Sequence, residues 1–326
     1  MVSQPGVAVA MMTILRNSFP RFSDWPKLSD YRFIDYATQF YLAVVGLLIL
    51  IFHDGHVNYW YLLLAGHVAV MLVVHFLIRM HTAFPNARVV AFLRFFYPIL
   101  LYAFFYEESK ILNLMFIDGY LDKFFIRLEE RLFGFQPSVR FMEALPYLAV
   151  SEFFYMSYFS YYIMISGVGL ALYLQNRGRF FHYISIMSVT FYLCYLAYIF
   201  LPVVGPLVFY TSVEAFPDQA SLPYYPLEFP HHLTSGLFFQ IMKLIYHYFE
   251  SHGAAFPSSH VAVALCTLYF SWRYLPRIRY LHLGAVIFLC LSTVYCRYHY
   301  VVDVFAGVAA TAMILPLGEY LYRRIR

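Results

Sequence analysis

Apolar runs close to the length that crosses a bilayer recur along nearly the whole chain. They fall at about 36–52, 59–78, 89–106, 147–174, 181–201, 258–272, 280–295 and 299–320. A bilayer core takes roughly 20 residues of helix, and backbone crossing it must satisfy its own hydrogen bonds. The pattern therefore predicts an all-α polytopic membrane protein with about eight transmembrane helices. Composition agrees, since 62% of the 326 residues are hydrophobic and 12% charged, whereas soluble domains are about a quarter charged. The net charge of +4 gathers into no basic stripe, so nucleic acid is not an expected partner. The bilayer is, and no obligate protein partner is evident. Cys194, Cys266, Cys290 and Cys296 all fall inside expected spans and form no C-x-x-C pair, which reads as buried thiols.

Two stretches break the pattern. In 107–145, Leu121, Phe124, Phe125, Leu128 and Leu132 repeat at helical spacing, with Asp122, Lys123, Arg127, Glu129, Glu130 and Arg131 between them. This predicts an amphipathic helix lying in the membrane interface and closed by Gly134. Residues 202–257 form a long proline-rich connection. Within it Leu233, Leu237, Ile241, Leu244, Ile245 and Tyr248 repeat at three and four, predicting a second interfacial helix at about 232–250. Glu107, Glu108 and Asp118 read as interfacial charges. Tyr155, Tyr158, Tyr161 and Tyr162 read as an aromatic belt, or else as the lining of a lipid path.

Basic residues orient the spans. With the N-terminus inside, fifteen of the 22 Lys and Arg fall on inner segments and seven on outer ones. The positive-inside rule then places both termini in the cytoplasm, and 202–257, His260 and His299 on the other side. Residues 1–35 read as a cytoplasmic arm.

The chemistry-bearing residues sit at the mouths of spans. Ser258 and Ser259 precede His260 at an expected helix start, where backbone N–H groups and the helix dipole favour an anion. His299 and Asp303 are four apart, on one helical face, and Arg297 stands just before them. An ionisable group at a span is costly and usually functional. Two histidines, a carboxylate, an arginine and an anion site suggest phosphoryl transfer at a membrane surface. No carboxylate cluster suited to Mg²⁺ lies beside them, and the reading invokes neither metal nor cofactor.

These motifs resemble the type 2 phosphatidic acid phosphatase superfamily, and most closely its branch containing inositol phosphorylceramide synthases. The segment Pro257-Ser258-Ser259-His260 is similar to the family's P-S-x-H motif. His299 to Asp303, followed by Gly307, is similar to its H-x-x-x-D motif. Residues 132–138 and the Pro202-Val203-Val204-Gly205-Pro206 segment also look like that branch. The resemblance implies a core at 89–322 of six helices, preceded by two extra spans at 36–88. It implies that His299 is a nucleophile forming a phosphohistidine, that Asp303 orients it, and that His260 is the general acid. Ser258 and Ser259 would bind phosphoryl oxygens, and Arg297 would clamp them.

The family's first motif, a lysine followed by Arg-Pro, is absent, since 181–201 contains no Lys or Arg. The usual arginine six residues before the nucleophile is Thr293. Lys243 is the cation that the long outer loop offers in compensation. The implied substrate is a lipid phosphate, and transferase and phosphatase share the same first step. A catalytically silent lipid-binding protein and a transporter are the alternatives from other classes.

Overall fold

The computed structural model describes residues 30–53, 57–211, 229–249 and 252–325. Most of the expected cytoplasmic arm, and Pro217, Pro223 and Pro226 of the long connection, lie outside the described residues. Among those described, the chain is helical and its one β feature is an isolated parallel bridge, Val203 to Ala254. The helices are α1 (Phe33–Phe52), α2 (Trp60–Ala83), α3 (Arg88–Leu112), α4 (Asp122–Phe133), α5 (Pro137–Ala144) and α6 (Leu148–Gln175). There follow α7 (Arg177–Phe200), α8 (Pro206–Thr211), a 3₁₀ turn (His231–Ser235), α9 (Leu237–Phe249), α10 (Ser259–Tyr274), α11 (Arg279–Tyr295) and α12 (Val301–Arg324).

Six of these, α1, α2, α3, α6, α7 and α12, are long and apolar enough to cross a membrane, which makes the chain an integral multi-pass membrane protein. The sixth and seventh expected spans, α10 and α11, are shorter, at 16 and 17 residues. They pack on each other and on α6, and α10 also packs on α7 and α12. The most buried of the six is α7. It runs up the middle, touching α1, α3, α6, α10 and α12, and Asn176 caps its first turn by accepting from the Arg179 N–H. Aromatic and aliphatic side chains of α1, α3, α6, α7 and α10 make one continuous core.

The outer helices α2 and α3 are held by buried ion pairs. Arg94 of α3 donates to Asp35 of α1, and Tyr97 donates to the same carboxylate at 2.7 Å. Glu108 is not an interfacial charge: it is buried, and its Oε1 lies 2.6 Å from His67 Nε2 of α2. A carboxylate of low exposure in a span needs such a partner.

The amphipathic helix α4 faces the other way from a soluble one. Phe124 and Leu132 are 62% and 61% exposed, while Asp122 and Glu129 are fully buried beside Phe125 and Ile126. The inward stripe is thus 122, 125, 126 and 129, and the outward one mixes Phe124, Leu132 and Phe133 with Lys123, Arg127 and Arg131. Apolar and basic side chains share the outward face, where long cations can snorkel beside membrane-facing rings, while two acids turn inward. Helix α9 has exposed Leu237, Leu244, Tyr248 and Phe249 opposite buried Phe239 and Met242. Its first turn is held by Glu152 of α6, whose oxygens accept from Phe238 N–H at 2.9 Å and Phe239 N–H at 3.0 Å.

Candidate active site

The two motifs meet where the N-termini of α10 and α12 converge. The Ser258 hydroxyl caps α10, accepting from Val261 N–H at 3.4 Å, and the Ser258 N–H donates to the Asp303 carbonyl at 3.1 Å. This close crossing requires Gly307: a Cβ there would lie 2.7 Å from the Ser258 carbonyl oxygen, inside any ordinary contact. The glycine that follows the second motif therefore lets the two helices approach.

His299 sits in the turn between α11 and α12, two residues before the span begins. The N–H groups of Tyr298 and His299 both donate to the Thr293 carbonyl at 3.0 Å, and Arg297 takes the left-handed conformation at φ 65° that reverses the chain. Thr293 is fully buried and is part of the frame of this turn. The preceding loop locks in from the far side. Asp122 accepts from the N–H groups of Val204 and Gly205, both at 2.9 Å, and from the Tyr300 hydroxyl at 3.0 Å. Leu207 N–H donates to the Arg297 carbonyl at 2.7 Å. At Gly205 (φ 93°) a Cβ would stand 2.5 Å from the Tyr298 carbonyl oxygen, so only glycine fits.

The chemistry lies inside this frame. His299 Nε2 faces His260 Nδ1 at 3.5 Å. On the other side of the ring, His299 Nδ1 is 3.4 Å from Asp303 Oδ2, which also accepts from Tyr300 N–H at 2.9 Å. Burial pushes His299 down to about 4, so at neutral pH its ring keeps one proton and one lone pair. The Nδ1 side lies within ion-pair reach of the carboxylate, though without a hydrogen bond to it, and a proton on that side leaves the lone pair on Nε2. The second nitrogen of His260, Nε2, is 3.0 Å from the Tyr158 hydroxyl. The rings of Tyr158 and Tyr161 flank this imidazole at centroid distances of 4.9 and 4.5 Å.

Glu129 reaches in from α4. Its Oε1 accepts from the N–H groups of Val301 and Val302 in the first turn of α12, and its Oε2 is buried without a partner. Burial pushes this carboxyl up to about 7, with the nearby Asp303 adding to the rise, and pushes Asp122 up to about 6. Carboxylates thus already take the first-turn N–H groups of α12. At α10 the cap is a neutral serine, so the Ser259 and His260 N–H groups remain the ones suited to an incoming anion.

Of the residues singled out from sequence, His260, His299, Asp303 and Ser258 come together. Ser259 is buried one residue on. Arg297 is buried with its guanidinium over the Phe229 ring at 4.7 Å, and burial lowers its pKa. It turns towards the aromatic cluster around Tyr155 and Tyr295. Lys243 is exposed on α9. The sequence reading missed Glu129, Asp122 and Tyr158. Glu129 stands seven residues after Asp122, a spacing that puts both on one face of α4 and was the available signal. Among the described residues no group of three or more His, Cys, Asp or Glu could hold a metal ion.

Comparison with curated proteins and with solved structures finds no match. The family model described as PAP2 superfamily matches residues 123–317, more than half of the chain. That range begins one residue after Asp122 and encloses Glu129, Tyr158, His260, His299 and Asp303. The chain belongs to the PAP2 superfamily.

Proposed function

We propose that this protein is a membrane lipid phosphotransferase or phosphatase that works through a phosphohistidine on His299. Membership of the PAP2 superfamily supports a phosphatase- or phosphotransferase-type function. One observation carries the finer reading: His299 presents Nε2 to His260 while its Nδ1 faces the Asp303 carboxylate. In this reading His299 Nε2 attacks phosphorus and the bond from phosphorus to the lipid oxygen breaks. His260 gives that oxygen a proton. Water or an alcohol head group then attacks the phosphohistidine, losing its proton to His260 and regenerating His299.

In-line attack needs about 3 Å from nitrogen to phosphorus, and a further hydrogen bond of about 3 Å from the leaving oxygen to the acid. The two nitrogens stand 3.5 Å apart, so the phosphoryl group has to part the imidazoles. The phosphoryl oxygens would meet the Ser259 and His260 N–H groups, with the Ser258 and Ser259 hydroxyls as further ligands. In this account Arg297 and Lys243 move toward the site if they take part.

Transfer between a phosphoinositide-like donor and a ceramide-like acceptor is the favoured reaction. The segments that support it, 132–138 and Pro202–Pro206, include Gln136, which donates to the Ile126 carbonyl of α4, and Gly205, which packs on the Tyr298 backbone. Residues 89–322 form the catalytic core in this account, and 36–88 contribute two added spans. Both termini are cytoplasmic and the site faces the opposite side. A cysteine at Ser235, which is exposed, should react with an impermeant thiol reagent in intact cells. Labelling only after lysis would reverse that orientation.

The function is tested by incubating the purified protein with a mixed lipid extract and following lipids consumed and produced by mass spectrometry. Loss of one phospholipid with matched gain of a phosphorylated acceptor supports transfer. Release of inorganic phosphate supports hydrolysis. Neither change would refute both.

A further inference from the structure

His260 is held by a chain of tyrosines that runs out to the membrane-facing helix α9. Its Nε2 lies 3.0 Å from the Tyr158 hydroxyl, and Tyr158 is hydrogen-bonded in turn to Tyr246 of α9. Tyr246 stacks on Tyr298 at a centroid distance of 4.0 Å and an interplanar angle of 15°. Tyr298 packs on Tyr158 at 4.5 Å, and it is the residue before His299. These three rings and the imidazole are thus one packed unit with a phenol hydroxyl as its only polar link to His260 among the contacts described.

A phenol has one hydrogen to give. If Tyr158 gives it to Tyr246, Tyr158 can only accept from His260, and the resident proton of the imidazole is fixed on Nε2. Nδ1, the nitrogen facing His299, is then the one that exchanges the catalytic proton. Without Tyr246 the phenol is free to donate to Nε2, which would place the resident proton on Nδ1 and leave the wrong nitrogen facing the site. On the reading of His260 as the acid, we propose that Tyr158 is a positioning residue setting the tautomer of His260, and that Tyr246 makes that setting depend on the seat of α9. The helix is suited to this. Glu152 pins its first turn, its inner face carries Tyr246, and its outer face presents Leu244, Tyr248 and Phe249 to the surroundings. Acyl chains that press on the outer face act on the same helix that carries Tyr246.

The test compares two substrates in detergent with the full-length protein: an alkyl lipid phosphate, whose leaving alkoxide needs a proton, and an aryl phosphate, whose leaving phenolate does not. His260→Ala is the reference, because loss of a general acid costs on the order of 10²–10⁴ and should fall on the alkyl substrate. Tyr158→Phe should lower kcat on the alkyl phosphate by about tenfold or more and change the aryl phosphate less than about threefold, a part of the same general-acid contribution. Tyr246→Phe should show the same selectivity at smaller size. Equal losses on both substrates, or no loss, would overturn the proposal, since a merely structural tyrosine does not distinguish leaving groups. Where Tyr158→Phe fails to fold, Tyr246→Phe decides by the same criterion. If His260→Ala itself shows no selectivity, or the wild-type protein turns over neither substrate, the reading of His260 fails and the proposal falls with it.

Discussion

Two buried polar regions of this protein differ in what surrounds their ion pairs. Around α1, α2 and α3, each buried charge meets its opposite: Arg94 with Asp35, and His67 with Glu108. At the cytoplasmic ends expected for α7, α10 and α12, Glu319 similarly gathers His182 at 2.6 Å and Arg273 at 3.1 Å. At the junction of α10 and α12 a pair of that kind, His299 with Asp303 at 3.4 Å, is crowded by like groups. Two imidazoles oppose each other, and Glu129 stands near Asp303 with one oxygen of each buried and unpartnered. Opposite pairs offset part of their desolvation and join helices, and removing one partner leaves a buried charge uncompensated. Opposed like groups are costly to the fold, and such crowding is the arrangement expected of a site for a charged substrate.

The sharpest way to break this contrast is at Asp303. Asp303→Asn should keep the fold and cost about 10³–10⁴ in kcat, as an orienting carboxylate does when an amide imposes the wrong tautomer. A steady-state assay with a folded-state control reads this. A loss under tenfold would mean that Asp303 is chiefly a cap for Tyr300.

On the other side of the comparison, Asp35→Asn should leave kcat per folded molecule unchanged while destabilising the protein by about 3–5 kcal/mol, because Arg94 is left buried without its partner. Thermal or denaturant unfolding in detergent measures it. A catalytic defect with unaltered stability would put the ion pairs and the site in one class.

Glu129 sharpens the comparison through pH. Its folded value of about 7 lies above the ordinary 4.5, so the folded state holds the proton more tightly than the unfolded chain. Its contribution to stability is therefore greatest below the ordinary value and is lost as pH rises through about 7, to a total of about 3 kcal/mol. Glu129→Gln, neutral throughout, should flatten that dependence while its amide oxygen still caps α12. Identical pH–stability curves for the two proteins would contradict the assignment. The smallest effect is expected at the membrane face. Leu237→Asp with Ile241→Asp should reduce turnover of long-chain substrates by about tenfold, equivalent to about 1.4 kcal/mol of lost apolar contact, and spare short soluble ones. Equal loss on both would point to misfolding.

The sequence disclosed the parts of the site whose partners are near in the chain. His299 and Asp303 are one turn apart, and Ser258 caps the helix that begins beside it, so spacing alone carries the geometry. It disclosed the spans, because bilayer length and apolarity are local properties. What stayed hidden depends on distant partners. Glu129 reaches Val301 across 172 residues, Tyr158 reaches His260 across 102, and Asp122 reaches Val204 across 82. Helix α4 shows why. Its periodicity separates apolar from charged positions, but nothing local tells that Asp122 and Glu129 turn inward to hold the turns around His299 while Lys123, Arg127 and Arg131 stay exposed. Glu108 is hidden for the same reason, its partner His67 being 41 residues away.

The most direct test of the phosphohistidine is to trap it. The protein is quenched in denaturant at alkaline pH after brief exposure to a lipid phosphate radiolabelled on phosphorus, then digested and mapped. An acid-labile, base-stable label on the peptide bearing His299, absent from His299→Ala and accumulating more slowly in His260→Ala, is the expected result. A wild-type protein that turns over its substrate with no label on His299, or a His299→Ala variant of normal activity, would contradict it.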